Sequence, residues 1–488
     1  MNYDAVLPYR TYVQARDHLL QHTRLSKRQE DLCFCLWRPS TGRVRYSAIV
    51  SNIIEPVEGE RTLHGNAAFD SEYLSRSLRL AFDRKMGLGF MHNHLTVGWQ
   101  GMSDEDIVAE RDRIAPAAAV TGLPLVGLTM GTDGSLSARF WIERKQRRPI
   151  WCHKVRVVDG GTMRVTYNDS MYPEYRRRPQ LQRTIDSWGL AMQQRMARLR
   201  IGIVGLGSVG AVVAEALARM GVANLTLIDA DKVETHNLDR LLNATSKDVG
   251  TYKAKLAARQ AKLATTANDF RVTSITGNLQ NEFSYQAALD CDLLFSCVDR
   301  PLPKDLLNHI AYAHCIPVIF GGVFIDNKAD GRLAQANWTV SIVGPGTRCL
   351  RCDSQYSSSD VVQELDGSLD NPEYLRMHDS DSATIRNQNV FPFSANLGSS
   401  MVIEMVRYMI AEDWWPAKGA KTTYYFVRGN QERFDSLTCK THCSIRDRIG
   451  TGDTSHYPFI ESSSFDSLAR RFFRLFASVL GKFLDSFK

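Results

Sequence analysis

Ten cysteines in 488 residues are too few for a disulfide scaffold. No stretch of eighteen or more apolar residues occurs, so nothing reads as a membrane span. The first residues, Met1 to Gln14, lack the apolar run of a signal peptide. Charge has little bias: 60 Lys and Arg against 53 Asp and Glu leave a net +7. That excess does not point to a nucleic-acid partner. No internal repeat is present. These absences lead us to expect a cytoplasmic chain of about two to three domains. Its 44% hydrophobic content is ordinary for a protein that buries real cores. Four of the cysteines fall in two close pairs, which points to a metal in a reducing compartment.

Patterning divides the chain. Residues 1–150 alternate helix-like and strand-like segments. Tyr12 to His22 reads as a helix and Asp31 to Trp37 as a buried strand. Ser71 to Met86 repeats apolar residues at helical spacing, and Leu88 to Met91 is a short strand. Residues 151–180 are polar and basic and read as a linker. From Arg183 the chain becomes helical. Ile201 to Val204 then reads as a buried strand, Ala211 to Met220 as a helix, and Asn224 to Ile228 as the next strand. This is a right-handed βαβ unit. Further strands are expected at Asp292 to Cys297 and Ile316 to Phe320. Residues 354–390, rich in Ser, Asp and Asn, read as a long mobile loop. Residues 446–464 read as a second linker, and 465–488 as an amphipathic helical tail.

Between the first strand and helix of the βαβ unit lies Gly205-Leu-Gly207-Ser-Val-Gly210. Its glycines permit a tight turn, close approach of backbone to phosphate, and close helix–strand packing. The helix that follows offers free N–H groups to an anion. Asp229 ends the next strand, where a carboxylate can bind ribose hydroxyls. Asn237, Arg240, Lys253 and Asp299 follow in order.

This train of residues resembles the ThiF/MoeB/E1 superfamily, the adenylating enzymes that activate ubiquitin-like proteins. The resemblance covers roughly 180–445. It implies an α/β fold: a Rossmann-like, doubly wound adenylation domain at 181–445 with a mostly parallel sheet. It also implies ATP and Mg²⁺, a homodimer, and a ubiquitin-like β-grasp protein as partner. By motif, Asp229 would hold ribose, Asn237, Arg240 and Lys253 the triphosphate, and Asp299 the Mg²⁺. Arg183 matches the family's arginine finger, often supplied by the partner protomer; Thr184 stands where the family usually has Gln. Activation of a sulfur carrier, with the N-terminal domain only a docking module, is the alternative within the same resemblance.

Cys349-Leu-Arg-Cys352 and Cys439-Lys-Thr-His-Cys443 have the paired short spacings of a tetrahedral Cys₄ zinc site, read as structural. His442 is a substitute ligand candidate. Thioester-forming members of the superfamily place a cysteine in the loop after the first zinc pair, yet residues 353–438 contain no cysteine.

Upstream, His92-Asn-His94 on a strand end points both imidazoles to one side. Asp106 can complete three zinc ligands and leave a position for water. Ser103 precedes Asp106 by one helical turn. This HxH-x₈-SxxD pattern resembles the JAB/MPN zinc isopeptidases. The resemblance implies a smaller α/β domain over 1–150, a second, catalytic zinc, Glu30 as general base, and Ser103 as an oxyanion stabiliser. The family commonly has Pro after the second His; here it is Leu95. The fusion resembles those of prokaryotic ubiquitin-like conjugation systems, which implies an E2-like protein as a further partner. In the tail, Phe465, Leu468, Phe472, Leu475 and Phe476 begin an apolar stripe flanked by Arg and Lys. Three readings stay open: a membrane surface, a partner groove, or the protein itself.

Overall fold

A computed structural model describes residues 1–22, 29–142, 148–328, 330–371, 389–410, 420–435 and 437–460. The tail at 465–488 and residues 372–388 of the expected mobile loop lie outside the described residues. Among the described residues no helix is long and apolar enough to cross a membrane.

The N-terminal half is built on a nine-stranded mixed sheet. Its order is Met163–Tyr167, Lys154–Val158, Asn2–Pro8, Arg45–Ile54, Leu32–Thr41, Gly87–Asn93, Leu125–Met130, Leu136–Trp141, Ile150–Trp151. Four of its strands, Gly87–Asn93, Leu125–Met130, Leu136–Trp141 and Lys154–Val158, are buried along their whole length because both faces are covered. The helix Tyr9–Leu19 buries Tyr12 and Ala15 over one face; Ser71–Asp83 buries Tyr73 and Ala81 over the other. Asp70 caps the second helix by accepting from the Glu72 N–H at 2.9 Å.

The C-terminal half carries an eight-stranded sheet. It runs Arg271–Ile275, Asn224–Ile228, Arg200–Val204, Leu293–Ser296, Val318–Asn327, Leu333–Val343, Ala420–Tyr425, Asn430–Asp435. The first five strands are parallel and the last three add antiparallel pairs. Strand order reverses beside Arg200–Val204, which creates a crevice at its carboxyl end. Helix Ser208–Arg219 buries Val213, Ala214 and Leu217 on this sheet.

Three expectations about connecting segments are corrected. Residues 151–180 are not a free linker: Lys154–Val158 and Met163–Tyr167 extend the first sheet by pairing with Asn2–Pro8 and with each other. Their charges misled the reading, because Lys154 and Arg156 point into the seam between the two halves and not into water. The described part of 446–464 is a packed strap. The Gly450 N–H donates to the Tyr312 carbonyl, and Asp453 accepts from the Thr41 N–H and hydroxyl. Residues 354–371 of the expected loop hold a helix, Ser358–Leu365, closed by a capping box between Ser357 and Asp360.

The seam itself is buried. Asp292 is fully enclosed and meets Lys154, Arg45 at 3.0 Å and Arg156 at 3.7 Å. Burial alone would raise its pKa, but the three cations outweigh that and hold it well below the usual carboxylate range. Nearby, Ser40 and Tyr285 bond the two ring nitrogens of His314 at 2.8 and 3.1 Å. Arg448 donates to His309 at 3.1 Å. Burial lowers both histidines, His309 to about 4 with Arg448 assisting, and His314 to about 3.

Both imidazoles are therefore neutral in the folded chain, whereas an unfolded histidine takes a proton near pH 6.5. Below that pH the unfolded state binds more protons, so stability falls as pH drops from about 6.5 toward 4. Each histidine contributes on the order of 3 kcal/mol to that loss. Denaturant titrations across this range should show a shallower slope for His314→Gln than for the parent; equal slopes overturn the assignment.

Candidate functional site

The glycine turn sits at the carboxyl end of Arg200–Val204, at the crevice where strand order reverses. Gly205 has φ +88°, and a Cβ there would lie 2.5 Å from the Cys297 carbonyl oxygen. A Cβ on Gly210 would lie 1.9 Å from the Gly205 carbonyl oxygen. At Gly207 an added Cβ meets nothing, so the turn leaves open space just where helix Ser208–Arg219 begins. That helix has no side-chain cap, so no capping side chain occupies its first N–H groups.

Asp229 braces the turn. One carboxylate oxygen accepts from the Leu206 N–H at 2.5 Å and the other from the Asp231 N–H at 2.7 Å. Burial raises its pKa, against these two hydrogen bonds. Each oxygen retains a free lone pair for a further donor. Lys253 begins the helix Lys253–Ala264 and lies 2.9 Å from Asp231. It lines a small pocket with Leu206, Leu241 and Asn243, so the 240s loop is brought against the turn. Arg240 donates to the His236 carbonyl and to Asp239 at 2.8 Å. The Asn237 side chain accepts from the Glu234 N–H. Asp299 follows Leu293–Ser296 and acts on Lys304, one helical turn into Pro301–Ala313. Burial lowers the Lys304 ammonium, opposed by Asp299, Asp360 and Glu364. Lys304 escaped the sequence reading; its only signal was a lysine five residues beyond Asp299.

Arg183 is not brought to the turn of its own chain. It is exposed on the short helix Gln182–Trp188. The adjoining Leu181 packs against Gly221, beyond the far end of helix Ser208–Arg219.

In the N-terminal half, His92 and His94 lie at the end of Gly87–Asn93, and Asp106 lies in the first turn of Asp104–Val108. The two Nε2 atoms are 3.1 Å apart, and Asp106 oxygens lie 3.3 Å from His92 and 3.2 Å from His94. Two facing ring nitrogens beside a carboxylate are a donor set that a cation would satisfy. Burial works to raise Asp106, but its bonds to both histidines and to the Ser103 N–H hold it well below the usual range. Ser103 is the helix cap: its hydroxyl oxygen accepts from the Asp106 N–H at 3.1 Å, and its own N–H donates to Asp106 at 2.8 Å. Its O–H proton remains free to donate. Burial raises the Glu30 carboxyl, with the two imidazoles pulling it the other way.

Two supports behind this cluster were not legible in sequence. A fully buried pair, Glu110 and Arg139, fixes Thr129, which Arg139 meets at 2.7 Å and which lies 3.5 Å from His92. Buried Asp31, next to Glu30, binds Arg61 and Gln21, and its N–H donates to Asn93, between the two histidines. Neither pair is adjacent in the chain, and ion pairs across a sheet leave no periodic signature.

The four cysteines expected at the second site gather into one cluster, with sulfurs within 4.8 Å of one another. The Cys349 N–H donates to Cys439 Sγ at 3.2 Å and the Cys352 N–H to Cys349 Sγ at 3.4 Å. Donors aimed at sulfur favour thiolates, the form that binds metal. The extra residue in the second pair does not prevent closure, and His442 is not part of the cluster.

A doubly wound sheet with a glycine turn at its switch point defines a nucleotide-binding α/β protein. The chain belongs to the ThiF family, whose model matches residues 180–445. It is 27% identical over 164 residues to the sulfur carrier protein ThiS adenylyltransferase of Bacillus subtilis, covering 34% of this chain and 46% of that one. It is 29% identical over 248 residues to the molybdopterin-synthase adenylyltransferase of Escherichia coli, covering 51% and 83%. The solved E. coli MccB with AMPCPP and MccA aligns at a TM-score of 0.42 and 17% identity, covering 56% and 76%. The chain spans less than half the length of the first curated relatives it matches.

The turn geometry sets a graded test. Gly210→Ala must displace the Gly205 carbonyl and should cost about 1–3 kcal/mol despite alanine's better helix propensity. Gly207→Ala should cost less than about 1 kcal/mol. Chemical denaturation of both variants measures this; equal losses overturn the turn assignment.

Proposed function

We propose that this chain adenylates the C-terminal carboxylate of a small ubiquitin-like or sulfur-carrier protein at the expense of ATP. The observation that carries the reading is the braced glycine turn, with its open space at Gly207 and Asp229, Lys253 and the 240s loop around it. In this reading the helix N–H groups and Lys253 bind phosphate oxygens, and Asp229 accepts from ribose hydroxyls. Arg240 and Lys253 balance charge as a carboxylate oxygen attacks the α-phosphorus and pyrophosphate leaves. Asp299 would hold Mg²⁺, and Arg183 would act in a partner protomer of a homodimer. A cysteine-free 353–438 segment suits a product that remains an adenylate or passes on to sulfur.

The N-terminal half we read as a JAB/MPN-like zinc peptidase acting on the same kind of glycine-ended tail. His92, His94 and Asp106 would hold the ion, which supplies Lewis acidity toward water and a scissile carbonyl. Glu30 takes a proton from the attacking water, and the Ser103 hydroxyl donates to the developing oxyanion. Glu110, Arg139, Asp31 and Asn93 keep the imidazoles and Glu30 in place. The four cysteines would hold a second, structural zinc. An E2-like protein remains a proposed partner downstream.

Metal analysis should find about two zinc ions per chain. Asp106→Asn should lose one and Cys349→Ser the other; a single zinc that survives Asp106→Asn removes the peptidase reading. ATP–pyrophosphate exchange should depend on a ubiquitin-like or sulfur-carrier protein. Arg240→Ala and Asp299→Ala should each lower exchange by about 10²–10³-fold. Exchange at the parental rate in both variants sinks the assignment.

A further inference from the structure

A cavity of about 350 Å³ opens at the seam, on the side of the C-terminal sheet away from the glycine turn. It falls within the roughly 300–1,000 Å³ range of small-molecule sites. Both sheets contribute strand starts to it. Asp4 belongs to the first strand of the N-terminal sheet and Arg200 to the strand that ends at the glycine turn.

Its walls are chemically asymmetric. Arg200, Asn224 and Arg271 open three adjacent parallel strands and are register partners, Arg200 with Asn224 and Asn224 with Arg271. Register partners in a parallel sheet share a face, so the three side chains form a row about 10 Å long. Neither guanidinium has an ion-pair partner among the described residues. Two cations flanking an amide make a cradle for an oxyanion. The wall from the N-terminal half holds Asp4, only 2% exposed, whose Oδ2 lies 3.8 Å from Arg45 and whose Oδ1 has no hydrogen-bond partner among the described residues. His153 lines the cavity too, and its buried Nδ1 is likewise unpartnered. Buried polar atoms without partners cost about 1–3 kcal/mol each, so this wall is built to meet something. The phenol rings of Tyr172 and Tyr175 also line the cavity and add flat apolar surface.

We propose that this seam cavity binds a nucleoside monophosphate, its phosphate on the Arg200–Asn224–Arg271 row and a donor edge of its base on Asp4. A base with adjacent N–H groups, as in guanine, supplies donors to a carboxylate, and its plane suits the tyrosine walls. The site is separate from the glycine turn. The five-residue strand Arg200–Val204 lies between them, about 16 Å of backbone.

The test uses the full chain with the glycine-turn site filled by a non-hydrolysable ATP analogue and Mg²⁺. GMP is titrated by calorimetry, with guanosine, CMP and inorganic phosphate as comparisons. The expected result is one GMP per chain, with guanosine, CMP and phosphate each at least about tenfold weaker. Arg271→Ala, at the exposed rim, should weaken GMP by about tenfold or more and leave guanosine unchanged. His153→Ala should weaken GMP and guanosine alike. No GMP binding at millimolar concentration overturns the proposal. So does GMP binding that the ATP analogue abolishes, or that Arg271→Ala leaves intact. Pyrophosphate exchange is read separately on the same preparations, so failure here does not count against the adenylation reading, nor the reverse.

Discussion

The architecture depends on where one carboxylate sits. Asp292 opens a central strand of the C-terminal sheet, yet its three cationic partners all come from the N-terminal half. Its Oδ2 also accepts from the Arg200 N–H, which fixes the start of the strand leading to the glycine turn. A buried charge left without its partner costs about 3–5 kcal/mol. The two halves therefore have to meet closely here, because a poor fit would leave that charge buried without its partners. The result is one continuous core: Val6, Ile49 and Val165 of the first half pack in the same cluster as Leu199, Ile203 and Trp338 of the second.

Around that seam the same logic recurs on a smaller scale. The Val44 and Arg45 N–H groups donate to Asp290, and Arg43 stacks over the Phe283 ring at 3.6 Å. Gly160 packs on Gly346, and the Tyr408 hydroxyl donates to the Asp159 carbonyl. The strap that ends the described chain closes against Thr41. Each contact joins elements distant in sequence.

This explains what could be read from the chain and what could not. The strand Asn224–Ile228 was legible to the residue because an apolar run followed a glycine turn at a fixed interval. The helix beginning at Ser71 announced itself by its 3.6-residue spacing. The histidines and four cysteines were found by spacing alone, and the fold gathers both sets. Lys154 and Arg156 were misread because sequence carries a residue's charge and not the direction it faces. Asp31, Glu110 and Arg139 were missed for a related reason: they matter through partners 10 to 62 positions away, at separations that follow no helical or strand period. The start of the first sheet, Asn2–Pro8, was passed over because its pairing strands, Arg45–Ile54 and Lys154–Val158, lay in stretches with no clear pattern.

The strap from Arg446 to Thr454 has a mechanical consequence. It ties the end of the folded C-terminal half back onto the N-terminal sheet, so the seam is clasped there as well as at Asp292 and Asp290. For one protein tail to visit the glycine turn and the histidine cluster in succession, as the proposed function has it, the length of that tail sets whether both stations are served.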